Sequence, residues 1–116
     1  MNAANRIGTE ASEIPVACSL TEAEHELREV EVKDVLSGCE RVEELADGYA
    51  FTFPGDDQWA ADLFNFVIEE RKCCPFFTFD LVFEAGGNAI RLQLRGDERV
   101  KLFTRESFVA ALQDPV

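Results

Sequence analysis

The sequence predicts an α+β fold in two layers: three helices covering a four-stranded, mainly antiparallel sheet, in the order α-ββα-ββα. Three observations predict it. Tyr49-Ala50-Phe51-Thr52-Phe53 and the stretch from Phe76 to Leu94 alternate apolar with polar residues, the period of half-buried strands. Between them, Gln58 to about Lys72 repeats its apolar residues at helical spacing. A faint internal repeat joins the two. Gly48-Tyr49-Ala50-Phe51-Thr52-Phe53 followed by Gly55-Asp56-Asp57 resembles Gly87-Asn88-Ala89-Ile90-Arg91-Leu92 followed by Gly96-Asp97-Glu98. Turns and caps reuse the same few residues, so chance is an alternative source of that likeness.

Residues 1–15 are polar and read as a flexible tail bounded by Pro15, and residues 16–116 as one domain. Thr21-Glu22-Ala23-Glu24 is a capping box, in which the Thr hydroxyl takes a free backbone amide and the Glu reaches back. It opens a helix from about Glu22 to Leu36 whose narrow apolar stripe is Leu20, Ala23, Leu27 and Val30. Ser37-Gly38 ends this helix. Arg41 to Ala46 is a weak strand, Asp47-Gly48 a hairpin signal, and Tyr49 to Phe53 the returning strand. After the Pro54-Gly55 turn, Asp56 or Asp57 caps the strongest helix.

That helix places Trp59, Ala60, Leu63, Phe64, Phe66, Val67 and Ile68 on one broad face, with Asp62, Asn65 and Glu69 opposite. Glu70 and Arg71 fall on the apolar side. Long side chains at a helix end reach water readily, so both are expected to be solvated. Phe76 to Glu84 is a strand with Phe77, Phe79, Leu81 and Phe83 on one face, Gly86-Gly87-Asn88 the turn, and Ile90, Leu92 and Leu94 the inward face of its partner. Outward Thr78, Asp80 and Glu84 complement Arg91, Gln93 and Arg95. Gly96-Asp97 starts a last helix that runs to Leu112, with a break near Thr104.

At 116 residues the chain is long enough for one modest core, and ten Phe against one Tyr and one Trp point to a Phe-filled one. A homodimer is the alternative use of the Phe-rich faces. The formal net charge of −12 comes with only three Lys, Lys33, Lys72 and Lys101. Such a surface repels itself at low salt and stays dispersed at high salt, which suggests a salt-adapted, halophilic protein. It argues against binding a phosphate backbone, which needs clustered Lys and Arg. No secretory signal or membrane-length apolar run is visible, so the expectation is a cytoplasmic protein whose cysteines are thiols or metal ligands.

Chemistry concentrates in Glu70-Arg71-Lys72-Cys73-Cys74-Pro75-Phe76, where a helix must stop at Pro75 and a strand begins. Adjacent thiols can bind a soft metal, exchange with disulfides, or pack as small apolar groups. A bond between the two is disfavoured, because neighbouring Cα atoms lie only about 3.8 Å apart. Two thiolates can hold a linear ion, whereas a structural zinc site needs more ligands. Cys18 and Cys39 flank the first helix and could converge on the pair, although 20 and then 33 intervening residues match no zinc-finger spacing. Arg71 and Lys72 favour thiolates there and the helix C-terminus opposes them. His25, the only histidine, lies between Glu24 and Glu26 and reads as solvated.

With Ala17-Cys18-Ser19-Leu20, Asp47-Gly48-Tyr49 and Glu70-Arg71-Lys72-Cys73-Cys74-Pro75-Phe76 placed, the chain resembles a family of small prokaryotic proteins of unassigned activity. That family carries an Ala-Cys-x-Leu start and a Glu-Arg-x-Cys-Cys-Pro-Phe block, and the resemblance covers about residues 16 to 112. It implies that Cys18, Cys73 and Cys74 are the functional positions and that Cys39 is a packed thiol. Mercury-transport proteins also carry adjacent cysteines, but they are embedded in membranes and similar to this chain only in ligand chemistry. The leading expectation is therefore a binder of a thiophilic metal ion, or a metal-response accessory protein. Cys73, Cys74 and Cys18 would be the ligands, with Glu70 and Arg71 supporting them. A structural or interaction module with core cysteines is the alternative, and a thiol-dependent enzyme the third reading, for which no base or oxyanion site is visible.

Overall fold

The computed structural model describes residues 21–113. Helix α1 (Glu22–Leu36) precedes strands β1 (Arg41–Leu45) and β2 (Gly48–Pro54); α2 (Asp57–Cys73) precedes β3 (Thr78–Phe83) and β4 (Ala89–Arg95). A third helical run follows: α3 (Glu98–Thr104), a π-helical segment (Arg105–Val109) and α4 (Ala110–Gln113). This is the α+β fold expected, with its order α-ββα-ββα.

The four strands lie in the order β1-β2-β4-β3, every neighbour antiparallel. Exchanging the two ββ halves leaves that order unchanged. The faint repeat thus corresponds to two ββα units that meet through their inner strands, Phe51 opposite Leu92 and Phe53 opposite Ile90.

Alternation decides what each face of the sheet does. Tyr49, Phe51, Phe53, Ile90, Leu92 and Leu94 are buried beneath the helices, each such side chain contributing about 1.5–3 kcal/mol. The other face is crossed by ion pairs: Arg91 with Glu43 and Glu84, Arg95 with Asp47 and Asp80. The charge complementarity read between β3 and β4 is realised there, and it extends to β1 and its turn.

Local signals hold well. Thr21 and Glu24 form the reciprocal capping box, and Asp56 and Asp97 cap α2 and α3 through the amides of Trp59 and Val100. Gly86 and Gly87 take positive φ values of 93° and 73° in the β3–β4 turn, a region open to glycine. Gly38 has a different reason from the helix-ending one. Its φ is not positive; a methyl group there would collide with the indole of Trp59.

Three expectations about burial are corrected. The face of α1 turned to the domain is Arg28, Val32, Val35 and Leu36, whereas Leu27 and Val30 are 62% and 65% exposed and Ala23 is exposed too. Leu20 lies outside the described residues. Packing of the C-terminal half, where Val32, Val35 and Leu36 cluster, sets the rotation of the helix. Phe64 is exposed on α2, at the edge of a face that is narrower than the periodicity suggests. Glu70 is not solvated: it is 2% exposed, on the buried line Leu63, Phe66, Glu70 and Cys73.

The last helical run departs from α-geometry where a break was expected. Buried Thr104 donates its hydroxyl hydrogen bond to the Val100 carbonyl, a contact that competes with the helix ladder. The chain then widens into the π segment, which sends Phe108 into an aromatic cluster with Phe51, Phe77 and Phe103.

Candidate functional site

The Cys73-Cys74 pair is built by the end of α2. Cys73 is its last residue and continues the buried line of the helix. Cys74 leaves helical conformation at φ −125° and ψ 73°, outside the α region that a following proline disfavours. Its amide still donates to the Glu70 carbonyl at 2.7 Å, so the exit is fixed by backbone as well. The outcome is that two consecutive side chains point the same way. Their sulfurs stand 3.6 Å apart, Cys74 donating to Cys73.

That separation limits the chemistry. It far exceeds the ~2.05 Å of a disulfide bond. A linear two-thiolate ion would need its sulfurs about 4.6 Å apart at the ~2.3 Å bond length of zinc thiolates. With the same bond length, 3.6 Å corresponds to an angle of about 103° at the bound atom. The observed spacing matches a bent bite, as in tetrahedral or pyramidal coordination, more closely than the linear one.

Both thiols are nearly buried, at 5% and 4% exposure, yet they line a cavity of about 350 Å³ between α1, α2 and the third helical run. Val32, Leu36, Phe103 and Phe108 make its apolar wall, and His25, Glu29 and Lys33 stand at its polar side on α1. His25 lies 4.0 Å from Glu29, with half of its side chain exposed.

Glu70 sits one helical turn before the thiols in the same cavity wall. Its Oε1 accepts from Arg28 Nε at 2.9 Å. The guanidinium also donates to Glu31 at 2.9 Å and lies 5.1 Å from the centre of the Phe66 ring. Burial opposes the charge on Arg28, but Glu70 and then Glu31 outweigh it and hold its pKa above the ordinary arginine value. A buried carboxylate is tolerated because this cation meets it.

The other expected site residues are placed as follows. Arg71 is exposed and does not line the cavity. Lys72 pairs on the surface with Glu69. The cation beside Glu70 is Arg28, from a different helix. Cys39 is half-buried in the α1–β1 connection, where its thiol donates to the Arg41 carbonyl at 3.3 Å. Burial pushes that thiol's pKa up. Cys39 is not in the cavity wall and packs against the core, in keeping with a structural thiol. Cys18 lies outside the described residues. Among the described residues no group of three or more His, Cys, Asp and Glu is arranged to hold a metal ion, and no helix among them is long and apolar enough to cross a membrane.

Sequence reading missed Arg28, Phe103 and Phe108 as site residues. The signal for Arg28 was present: Arg28, Val32, Val35 and Leu36 share one helical face headed by a cation, while Glu70 on the apolar side of α2 lacked a counter-charge. Phe108 carried no comparable signal, because a π turn shifts its angle out of α-helical phase. Comparison with models of known families, with curated proteins and with solved structures finds no match.

Proposed function

We propose that this protein binds a thiophilic metal or metalloid ion through Cys73 and Cys74, as a binding or metal-response accessory protein. The observation that carries the reading is two sulfurs 3.6 Å apart on the wall of one cavity. Sulfur donors select soft ions, and the bent bite favours tetrahedral or pyramidal ones. Cys18 is the proposed third ligand. Glu70, tied to Arg28, fixes the last turn of α2 and so the direction of both thiols. The working environment we propose is a salt-rich cytoplasm, on the strength of the net charge of −12.

A second reading has its own support: Cys73 and Cys74 both belong to the buried core cluster, where cysteine serves as a small apolar residue. Native thiol counting separates the two. Accessible thiols are titrated in high salt before and after one equivalent of Zn(II), Hg(II) or As(III), in the wild type and in Cys73→Ser/Cys74→Ser. Ion binding predicts that one equivalent protects two or more thiols and that the double variant loses this protection. Thiols that react only on unfolding, with no protection by any ion, would leave the core reading.

A further inference from the structure

Resting on that ion-binding reading, we infer that the ion taken by Cys73 and Cys74 carries an organic group, and that the ligand class is trivalent monoorganoarsenic, R–As(OH)2, with R seated in the cavity.

The cavity is too large for a bare ion. It opens to solvent and offers about 350 Å³, room for a substituent of the size of benzene, which an enclosed apolar cavity of ~150 Å³ accepts. Apolar Val32, Leu36, Phe103 and Phe108 share the lining with the thiols and suit an aryl or alkyl substituent, while His25 and Lys33 mark its polar side. The π segment keeps Phe108 in that wall, where it meets Phe103 with ring centroids 6.4 Å apart at 66°. The thiols supply two bonds with a bent bite of about 103° at a ~2.3 Å bond. Pyramidal arsenic(III) makes three bonds; the As–C bond that the ligand brings takes the third position, which Cys18 would fill on an inorganic ion.

The exchange balances without an oxidant or reductant. Each thiol gives its proton to a leaving hydroxide, two As–O bonds break and two As–S bonds form. Two waters leave, the As–C bond is untouched, and arsenic remains trivalent.

The test measures binding of phenylarsonous and methylarsonous acids and of inorganic arsenite to the full chain in high salt. Dithiothreitol serves as competitor, so that differences in intrinsic As–S strength cancel. The wild type should hold the phenyl compound about tenfold or more tighter than the methyl compound. Cys73→Ser/Cys74→Ser should lose binding of both, and Cys18→Ser reads whether the third position on arsenic is the As–C bond or a third thiolate. Ala111→Phe, which fills the cavity from α4, should remove the preference while thiol protection by arsenite or Zn(II) persists. Equal affinity for phenyl and methyl compounds in the wild type would overturn the inference while leaving the ion-binding reading intact. A requirement for Cys18 with either organic compound would overturn it too, in favour of three thiolates on an inorganic ion. Absence of thiol protection by every probe would sink both readings.

Discussion

Replacing Arg28 by Met should destabilise the protein more than any other single change on α1. The Arg28 Nε to Glu70 Oε1 distance is 2.9 Å, with side-chain exposures of 11% and 3%. At an effective dielectric constant near 20, that pair attracts with about 6 kcal/mol, and much of this offsets the loss of hydration of the two charges. Removing only the cation leaves Glu70 buried without its counter-charge, at a cost of about 3–5 kcal/mol. Glu70→Gln should cost less, about 1–3 kcal/mol, since Arg28 keeps Glu31 and the Phe66 ring. Arg28→Met/Glu70→Leu should lie well above the sum of its single changes, because the apolar pair has no charge to bury. Urea unfolding followed by the fluorescence of Trp59 gives each value as a shift in midpoint at constant slope. The thiols of Cys73 and Cys74 should react faster in Arg28→Met, as α1 loosens over the cavity. A loss below about 1 kcal/mol in Arg28→Met, with unchanged slope, would mean that the pair does not anchor α1.

Three other outcomes are expected. Gly38→Ala forces its methyl group against Trp59; it should cost about 1–3 kcal/mol and shift the tryptophan emission, whereas Gly87→Ala, at φ 73° with open space around it, should leave the emission unchanged. Hydrogen bonds from Arg99 and then from the Val100 amide lower the Asp97 pKa, so its stabilising share is present above the ordinary aspartate pKa and is lost as pH falls through the lower folded value; Asp97→Asn should show a shallower fall in melting temperature on acidification. The acidic surface should make the urea midpoint rise steadily from low salt to molar KCl; a flat response would remove the salt-adapted reading.

Much of this molecule follows from short-range chemistry. The capping box at Thr21, the cap at Asp56, the Gly86-Gly87 turn and the alternation of Ile90, Leu92 and Leu94 each depend on residues a few positions apart. Sequence alone therefore places the helices, the strands and the inward faces of β2 and β4, and puts the two thiols where α2 must stop at Pro75. Other features depend on distant partners. The rotation of α1 is decided by Val32, Val35 and Leu36 meeting the domain, against a competing stripe of Leu27 and Val30 that ends in solvent. The strand order β1-β2-β4-β3 places β2 beside β4, a pairing that no hairpin turn dictates. Glu70 is buried because Arg28, 42 residues earlier in the chain, arrives to neutralise it. The cavity exists only because three helical runs converge, and its aromatic wall depends on a π turn that periodicity cannot foresee. Caps, turns and periods are local energies and are legible locally; the partner of a buried charge and the lining of a cavity are properties of the assembled layers.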